Sequence, residues 1–309
     1  MGKRSHLPAV LLIVSMVAVA GYTLRTEMIF PEAAALAFGA WVMEETPWKG
    51  PKLNLWLSPT LAALTGVLMM RFLPYSLFLM VPVAFVLVAL QLSLLRSSVM
   101  PSISAAVLPL LLKCESWYYP LGVCAFTGII AAGNCLDLKG WRQKGGAFLA
   151  AAPEDAGQPE AALGLKHWGK LLAVVMFVCV LALKSHWIFI IAPPLIVSFV
   201  ELSKTEGRSK GRLFRLFILL SLAALSGVVW LYLIHEVAHW PLWVPAGLSV
   251  LSVFLFYELL QVHFPPAAAI ALLPVIIPAG KIWSYPLDVS VGSALFISMI
   301  ALLFAEKKA

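Results

Sequence analysis

The sequence predicts an all-α polytopic membrane protein of two tandem similar halves, each with four long helices and two short half-helices or re-entrant segments. Three observations predict it. Hydrophobic residues make up 61% of the chain, charged residues 12%, and the mean hydropathy is +0.94, whereas soluble domains are about 45–50% apolar and 25% charged. Apolar runs of about 17–22 residues recur without strand-like alternation, so the spans should be helices. The second half also repeats motifs of the first.

Two motifs carry the repeat. Pro101-Ser-Ile-Ser-Ala-Ala-Val-Leu-Pro109, followed by W-x-Y-P-L-x-V, returns as Pro266-Ala-Ala-Ala-Ile-Ala-Leu-Leu-Pro274 with the same pattern after it. The stretch L-A-A-L-[TS]-G-V occurs at 61–67 and again at 222–228. A spacing of about 160–165 residues indicates an internal duplication. In so apolar a chain, duplicated units with short, proline-interrupted segments are typical of a transporter or channel.

Six apolar segments are expected in each half. In the first half they cover 8–24, 29–43, 54–72, 75–95, 101–112 and 118–136. In the second half they cover 168–184, 187–201, 213–234, 241–261, 265–279 and 284–304. The first run follows Lys3 and Arg4 and resembles a cleavable signal peptide, but its counterpart at 171–183 lies inside the chain. We therefore interpret it as a retained helix.

The second and fifth segments of each half are short, about 12–16 residues, and start near proline. At about 1.5 Å per residue they are marginal for a hydrocarbon layer about 30 Å thick. We expect half-helices, re-entrant hairpins or steeply buried short helices, shielded from lipid by the longer segments.

The predicted domains are a first membrane repeat (1–137), a cytoplasmic linker (138–167) and a second membrane repeat (168–309). Basic residues near the N-terminus, on the linker and at Lys307-Lys308 place all three on the cytoplasmic side, most simply of a bacterial inner membrane. Four or six crossings per half satisfy this arrangement. The basic loop from Lys204 to Arg215 favours six, because it is then cytoplasmic.

The pattern His263-Phe-Pro-Pro-Ala-Ala-Ala closes one apolar segment and opens a short one. Here the sequence resembles the HPP family of integral membrane proteins, in which each unit carries four long helices and two short segments. The chain looks like two such units fused. It departs from the family pattern because Phe264 separates His263 from the prolines, and the first half has Val99-Met100-Pro101 at this place. Some members are linked to nitrite transport, so the resemblance implies a small anion as a candidate substrate.

A half-helix that starts inside the membrane directs unpaired N–H groups and the positive end of its dipole at the interior, which suits an anionic group. Small residues after the proline let a solute approach the backbone, although they equally permit tight helix packing. On the first interpretation, the starts of the short segments line the substrate path. The predicted path residues are His263, Pro265, Pro266, Ala267, Ala268, Pro101, Ser102, Ser104, Pro31, Glu32, Pro193 and Pro194.

Ionisable residues at membrane depth are costly and usually paired or functional. Glu258 lies near His263 on the same predicted helix, and the two form a candidate proton-coupling pair because imidazole titrates near neutrality. The alternative is that Glu258 is neutral or bonds a neighbouring helix. For Glu32, capping of a helix start is a sufficient explanation.

An enzymatic alternative rests on His235-Glu236-Val-Ala-His239, which satisfies H-E-x-x-H. On a helix this pattern supplies two zinc ligands and a general base, as in an intramembrane metalloprotease, with Asp288 as a proposed third ligand. Trp240-Pro241 follows at once, so the motif falls at a helix end, where the second histidine is poorly held. An interfacial His and Trp cluster is the competing interpretation.

Other classes have little support. The four cysteines form no C-x-x-C pair and fit packing positions. The net charge of +7 is distributed between apolar runs rather than in a nucleic-acid-binding domain. No phosphate loop or nucleophile elbow occurs, so we predict no cofactor, no metal and no catalytic residue. The expected partners are the lipid bilayer and a small solute; monomer and homo-oligomer both stay open, and a passive membrane scaffold is a third functional class.

Overall fold

The computed structural model describes residues 6–43, 46–48, 50–73, 75–135, 164–204 and 209–304, and these form an all-helical bundle without strands. The helices are α1 (Leu7–Tyr22), α2 (Glu32–Ala37), α3 (Asn54–Phe72), α4 (Leu77–Leu94), α5 (Pro101–Leu112), α6 (Tyr118–Cys135), α7 (Leu165–Ser185), α8 (Pro193–Lys204), α9 (Lys210–Trp230), α10 (Trp243–Leu260), α11 (Pro266–Leu272) and α12 (Tyr285–Leu303). Nearly all of the predicted 138–167 linker lies outside the described residues.

Helical turns extend three of these helices without a break. A π-helical segment, Phe38–Val42, continues α2, and a second one, Leu231–Val237, continues α9. A short 3-10 turn, Leu273–Val275, continues α11. Within the described ranges, α3, α4, α7, α9, α10 and α12 are long and apolar enough to cross a membrane. The chain is therefore a membrane-embedded helical protein as far as length and composition decide.

Burial separates the short helices from the long ones. Every residue of α5 from Pro101 to Leu111 and every residue of α11 is buried. The long helices instead expose large apolar side chains, such as Leu121, Leu255 and Leu259. Such a surface is unfavourable in water and favourable against lipid. The predicted shielding of the short segments by the longer ones is the arrangement seen in the bundle.

The helices run between two ends of the bundle. At the end where α6 finishes and α7 starts, which we call the linker end, Asn54 Nδ2 donates to the Leu95 carbonyl over 3.0 Å and Arg215 Nη1 to the Leu260 carbonyl over 3.3 Å. Trp48 Nε1 donates to Glu201 Oε1 there over 3.2 Å. At the other end, which we call the opposite end, Arg71 Nε donates to the Glu115 carbonyl over 2.8 Å.

Helix α5 runs parallel to α3 along its whole length. Near the linker end Ser58 Oγ donates to Ser97 Oγ over 2.8 Å, just before α5 begins. The Arg71 contact then joins the last turn of α3 to the segment after α5. The 12 residues of α5 rise only about 18 Å, so the non-helical residues before Pro101 supply the rest of the distance. The short helix thus reaches from one end of the bundle to the other instead of turning back.

A glycine of each half contacts a short helix. A Cβ on Gly66 would overlap the Ala106 carbonyl oxygen and approach Pro109 of α5, and a Cβ on Gly227 would overlap the Ala271 carbonyl oxygen and approach Pro274. Both glycines belong to the repeated L-A-A-L-[TS]-G-V motif. This motif therefore provides the close approach of α3 to α5 and of α9 to α11.

Candidate functional site

The most polar point of the buried interior lies where α2 meets α5. Glu32, in the first turn of α2, is 1% exposed, and Ser104 Oγ donates a hydrogen bond to its Oε1. Glu32 Oε2 is buried without a hydrogen-bond partner. Within the described residues no Lys, Arg or His lies at ion-pair distance from this carboxyl. A carboxyl therefore lies in an apolar interior, where its identified donors are the Ser104 hydroxyl and the backbone N–H of Glu32 itself, both neutral.

Two buried tyrosines flank this point. The Glu32 carboxyl interacts electrostatically with the phenols of Tyr119 on α6 and Tyr285 on α12. Tyr119 Oη donates to the Ala105 carbonyl over 2.9 Å, and Tyr285 Oη donates to the Ile270 carbonyl over 2.7 Å. Both hydroxyl protons are thus directed at backbone oxygens of the short helices rather than at Glu32.

Proline explains why those two carbonyls need a donor. In a helix the Ala105 carbonyl would accept from the N–H of residue 109, and the Ile270 carbonyl from that of residue 274. Both positions are proline, which has no N–H. A buried carbonyl without a partner costs about 1–3 kcal/mol, and each tyrosine removes that cost. The two sequence motifs that repeat together are joined by this hydrogen bond in each half.

The other predicted path residues lie in packed surroundings. Pro101, Pro193 and Pro194 are buried in the first turns of α5 and α8, and Pro266, Ala267 and Ala268 are buried in α11. Pro31 and Pro265, which directly precede α2 and α11, are buried as well. Ser102 Oγ has no hydrogen-bond partner. These small residues make helix contacts in this conformation, and their part in a solute path stays a prediction.

His263 and Glu258 lie at the linker end rather than deep in the bundle. Their Nε2 and Oε1 atoms are 3.7 Å apart, and the side chains are 46% and 61% exposed. The His263 ring stacks on Phe38 of the α2 extension, with centroids 6.3 Å apart, and His6 lies on the other part of the same aromatic cluster, 4.8 Å from Phe254. The predicted pair is in contact, and its role in proton coupling stays a prediction.

A cavity of about 160 Å³ opens at the opposite end of the bundle. Thr26 and Glu27 form its polar rim, and Glu27 Oε1 accepts a hydrogen bond from Ser116 over 3.1 Å. The remaining lining is mainly apolar, and it comprises Ile29, Leu108, Pro109, Leu112, Cys114, Tyr119 and Ile276. A second, shallower groove between α9 and α12 faces outward. None of the predicted path residues lines either one.

The H-E-x-x-H motif does not assemble a metal site in the described part of the chain. His235 lies in the π-helical segment, and its Nδ1 is 2.8 Å from the Trp240 carbonyl oxygen. His239 has a left-handed backbone, with φ of 55°. Asp288 is buried on α12 and accepts from the Phe189 N–H over 3.3 Å. No three His, Cys, Asp or Glu side chains converge as candidate ligands among the residues described.

The sequence predicted Glu32 and Ser104 as separate path residues and not as a pair, and the tyrosine–carbonyl hydrogen bonds were not predicted. A sequence signal for these bonds exists, because Tyr119 and Tyr285 occupy the same place in the repeated W-x-Y-P-L-x-V pattern. The Glu32–Ser104 contact joins residues from two different helices, and no sequence pattern indicates it. A comparison with protein-family models, with curated proteins and with solved structures finds no match for this chain.

Proposed function

We propose that the protein is a membrane transporter or channel for a small solute, with the path near the starts of α2, α5, α8 and α11. The observation that carries the proposal is the set of short, largely buried helices α2, α5, α8 and α11 that lie among long apolar helices. A bundle that only had to fill a membrane would not need buried helix starts and an unpaired carboxyl. Apart from His263, the predicted path residues are buried in this conformation, and the proposal covers both an alternating-access carrier and a channel.

The proposal includes two same-oriented repeats related by a pseudo-twofold axis. Equivalent elements exchange neighbours in support of it: α1 packs on α10 as α7 packs on α4, and α2 packs on α11 as α8 packs on α5. Each half thus contributes a short helix to the other. The two glycine contacts and the two tyrosine–carbonyl bonds also recur at matching positions.

We further propose that the linker end is cytoplasmic and that the membrane is a bacterial inner membrane. Described basic residues at the linker end outnumber those at the opposite end, and basic loops favour the cytoplasm. Those at the linker end include Arg96, Lys166, Lys170, Lys204, Lys210, Arg212 and Arg215, and those at the opposite end are Arg25, Arg71, Lys113, Lys184 and Lys281.

A small anion such as nitrite is the solute class that the HPP-like pattern suggests, and we retain it as a proposal. The first turns of α5 and α11 are its candidate contacts, because neither carries an acidic residue. Glu32 at the start of α2 would repel an anion whenever it is ionised. The zinc-protease alternative has no structural observation in its favour.

Flux into proteoliposomes tests the proposal. Purified wild type, His263→Ala and Glu258→Gln are compared for uptake of nitrite and of a panel of small anions and neutral solutes. The proposal expects solute flux above that of protein-free vesicles, and a change in at least one variant if the His263–Glu258 pair contributes. Wild-type vesicles as impermeable as empty ones to the whole panel would contradict it. About one zinc per purified chain would instead favour the protease.

A further inference from the structure

We propose that Glu32 is a proton-binding site inside the bundle, and that binding and release of this proton accompany movement of the solute. The inference extends the proposed transport function and adds to it a ligand, a residue and a helix pair. It rests on the surroundings of the carboxyl rather than on its place at a helix start.

One oxygen of the Glu32 carboxyl makes no hydrogen bond. Glu32 is buried, one carboxyl oxygen accepts from Ser104, and the other oxygen has no donor within reach. An ionised carboxylate in such a place needs a cation or several donors. A proton removes the charge, and burial in a low dielectric favours the neutral form of the acid.

The titratable groups around the Glu32 carboxyl also favour a bound proton. Helices α5 and α11, which pack on α2, carry no ionisable residue. On α1 the only ionisable side chain is Tyr22, which is exposed at its end. Tyr119 on α6 and Tyr285 on α12 are the titratable groups that interact with Glu32, and both phenols donate to backbone oxygens. Nothing in these elements supplies a compensating positive charge.

The small number of oxygen ligands at Glu32 favours a proton over a metal cation. Hard cations bind about six or more oxygen atoms. Among the described residues no three His, Cys, Asp or Glu side chains converge, and the Ser104 hydroxyl is the one side-chain oxygen shown in contact with the Glu32 carboxyl. Two groups are too few for such an ion, whereas a proton requires no coordination shell.

The two halves of the proposed duplication differ at the positions of Glu32 and Ser104. Aligning Pro31 with Pro193 places Pro194 of α8 where α2 has Glu32, and Ala269 of α11 stands where α5 has Ser104. Both second-half residues are buried like their counterparts. The same packing is therefore achieved without an acid or a hydroxyl, so the fold alone does not require the Glu32–Ser104 pair.

The cavity at the opposite end gives the proton an approach. Tyr119 lines that cavity and also interacts with Glu32, and Ile29, three residues before Glu32, lines it too. Glu32 itself is closed off from it in this conformation. The opposite end is therefore the proposed side of proton access.

Infrared difference spectroscopy on the purified protein in detergent tests the site without a transported solute. The carbonyl band of a protonated carboxylic acid, identified by its shift in D2O, is followed between about pH 9 and pH 5. We expect a wild-type band that Glu32→Gln lacks and that Glu115→Gln, a change of an exposed acid, retains. Asp288→Asn and Glu201→Gln separate any contributions of two other acids that are shielded from water. Ser104→Ala should keep the band and shift its frequency, because one hydrogen-bond donor is lost.

A titrating band that is the same in wild type and in Glu32→Gln would overturn the inference. If Glu32→Gln does not fold, an unchanged band frequency in Ser104→Ala would overturn it instead. The result is separable from the transport proposal, because the band is measured without flux. A Glu32-dependent band with impermeable vesicles would remove transport and keep the proton site, whereas flux without that band would do the reverse.

Discussion

At the scale of single residues, Pro109 and Pro274 create the backbone acceptors to which two tyrosines donate. Each proline removes one N–H from a short helix, and the freed carbonyl is buried where water does not reach. Tyr119 and Tyr285 donate to these carbonyls from neighbouring helices. Each proline leaves one buried backbone acceptor of the short helix without its helical donor, and the tyrosine bonds fix α6 on α5 and α12 on α11.

Removal of either hydroxyl should therefore cost stability by a similar amount in both halves. We expect Tyr119→Phe and Tyr285→Phe each to lower the free energy of unfolding by about 1 kcal/mol, because one buried acceptor loses its donor. Thermal unfolding in detergent measures the change. Tyr22→Phe, at a side chain that is 85% exposed, is the matched control and should be neutral. Equal midpoints for all three variants would contradict the role of these bonds.

His6 gives a pH dependence at the linker end. Burial lowers the pKa of His6 below its usual value, against an opposing effect of the Glu258 carboxylate, and His263 lowers it further. The unfolded chain then binds a proton at a pH where the folded chain does not. Stability should be unaffected above about pH 6.5 and should fall as the pH decreases below it.

The measurement is the unfolding midpoint at about pH 7.5 and about pH 5.5 for wild type and His6→Gln. The variant should lose part of the acid sensitivity of the wild type. His186→Gln, an exposed histidine at the opposite end, is the control and should retain it. An identical acid response in wild type and His6→Gln would show that His6 does not contribute.

Residue-scale features differ in how far the sequence predicts them. The tyrosines could be found, because a motif that recurs with a proline at a fixed distance marks a shared contact. The Glu32–Ser104 bond could not, because it depends on how α2 lies across α5, and side-chain spacing within either helix says nothing of that. Capping at a helix start explained Glu32 from the sequence, yet Ser104 of a different helix is its hydrogen-bond donor.

At the scale of helices, local sequence is most informative where proline and apolar length act together. The predicted segments 54–72 and 101–112 coincide with α3 and α5, since apolar runs bounded by polar or proline residues leave little choice of boundary. The π-helical segments after α2 and α9 were not predicted. They depend on packing around the helix rather than on a propensity visible in the sequence.

The glycine contacts yield an element-scale prediction. Gly66→Ala and Gly227→Ala should each destabilise the bundle by about 1–3 kcal/mol, because the added methyl group overlaps a backbone oxygen of the short helix that cannot move away easily. Gly169→Ala, on α7 with no neighbour near the added carbon, should be neutral or stabilising by up to about 1 kcal/mol.

Unfolding midpoints of the three purified variants check this prediction. If Gly66→Ala or Gly227→Ala were as stable as Gly169→Ala, the close approach of α3 to α5 or of α9 to α11 would not be what the repeated motif provides.

At the scale of the whole molecule, the proposed architecture depends on short segments of the chain that cross the bundle from the linker end to the opposite end. The sequence left open whether those segments cross or turn back, since about 12–16 residues suffice for either. The direction of α5 along α3 is a tertiary fact, fixed by contacts at both ends of the pair. Left-handed residues at matching places before α5 and α11, Arg96 and Gln261, mark where the chain turns inward at the linker end.

Cysteine labelling across the membrane tests this architecture most directly. In a chain without its four native cysteines, single cysteines replace Arg96 and Gln261 at the linker end, and Lys113 and Lys281 at the opposite end; all four positions are exposed. A membrane-impermeant maleimide is added to sealed inverted and right-side-out vesicles. We predict that Arg96→Cys and Gln261→Cys react from one side of the membrane and Lys113→Cys and Lys281→Cys only from the other. Reaction of Arg96→Cys and Lys113→Cys from the same side would show that α5 does not cross, and would contradict the account.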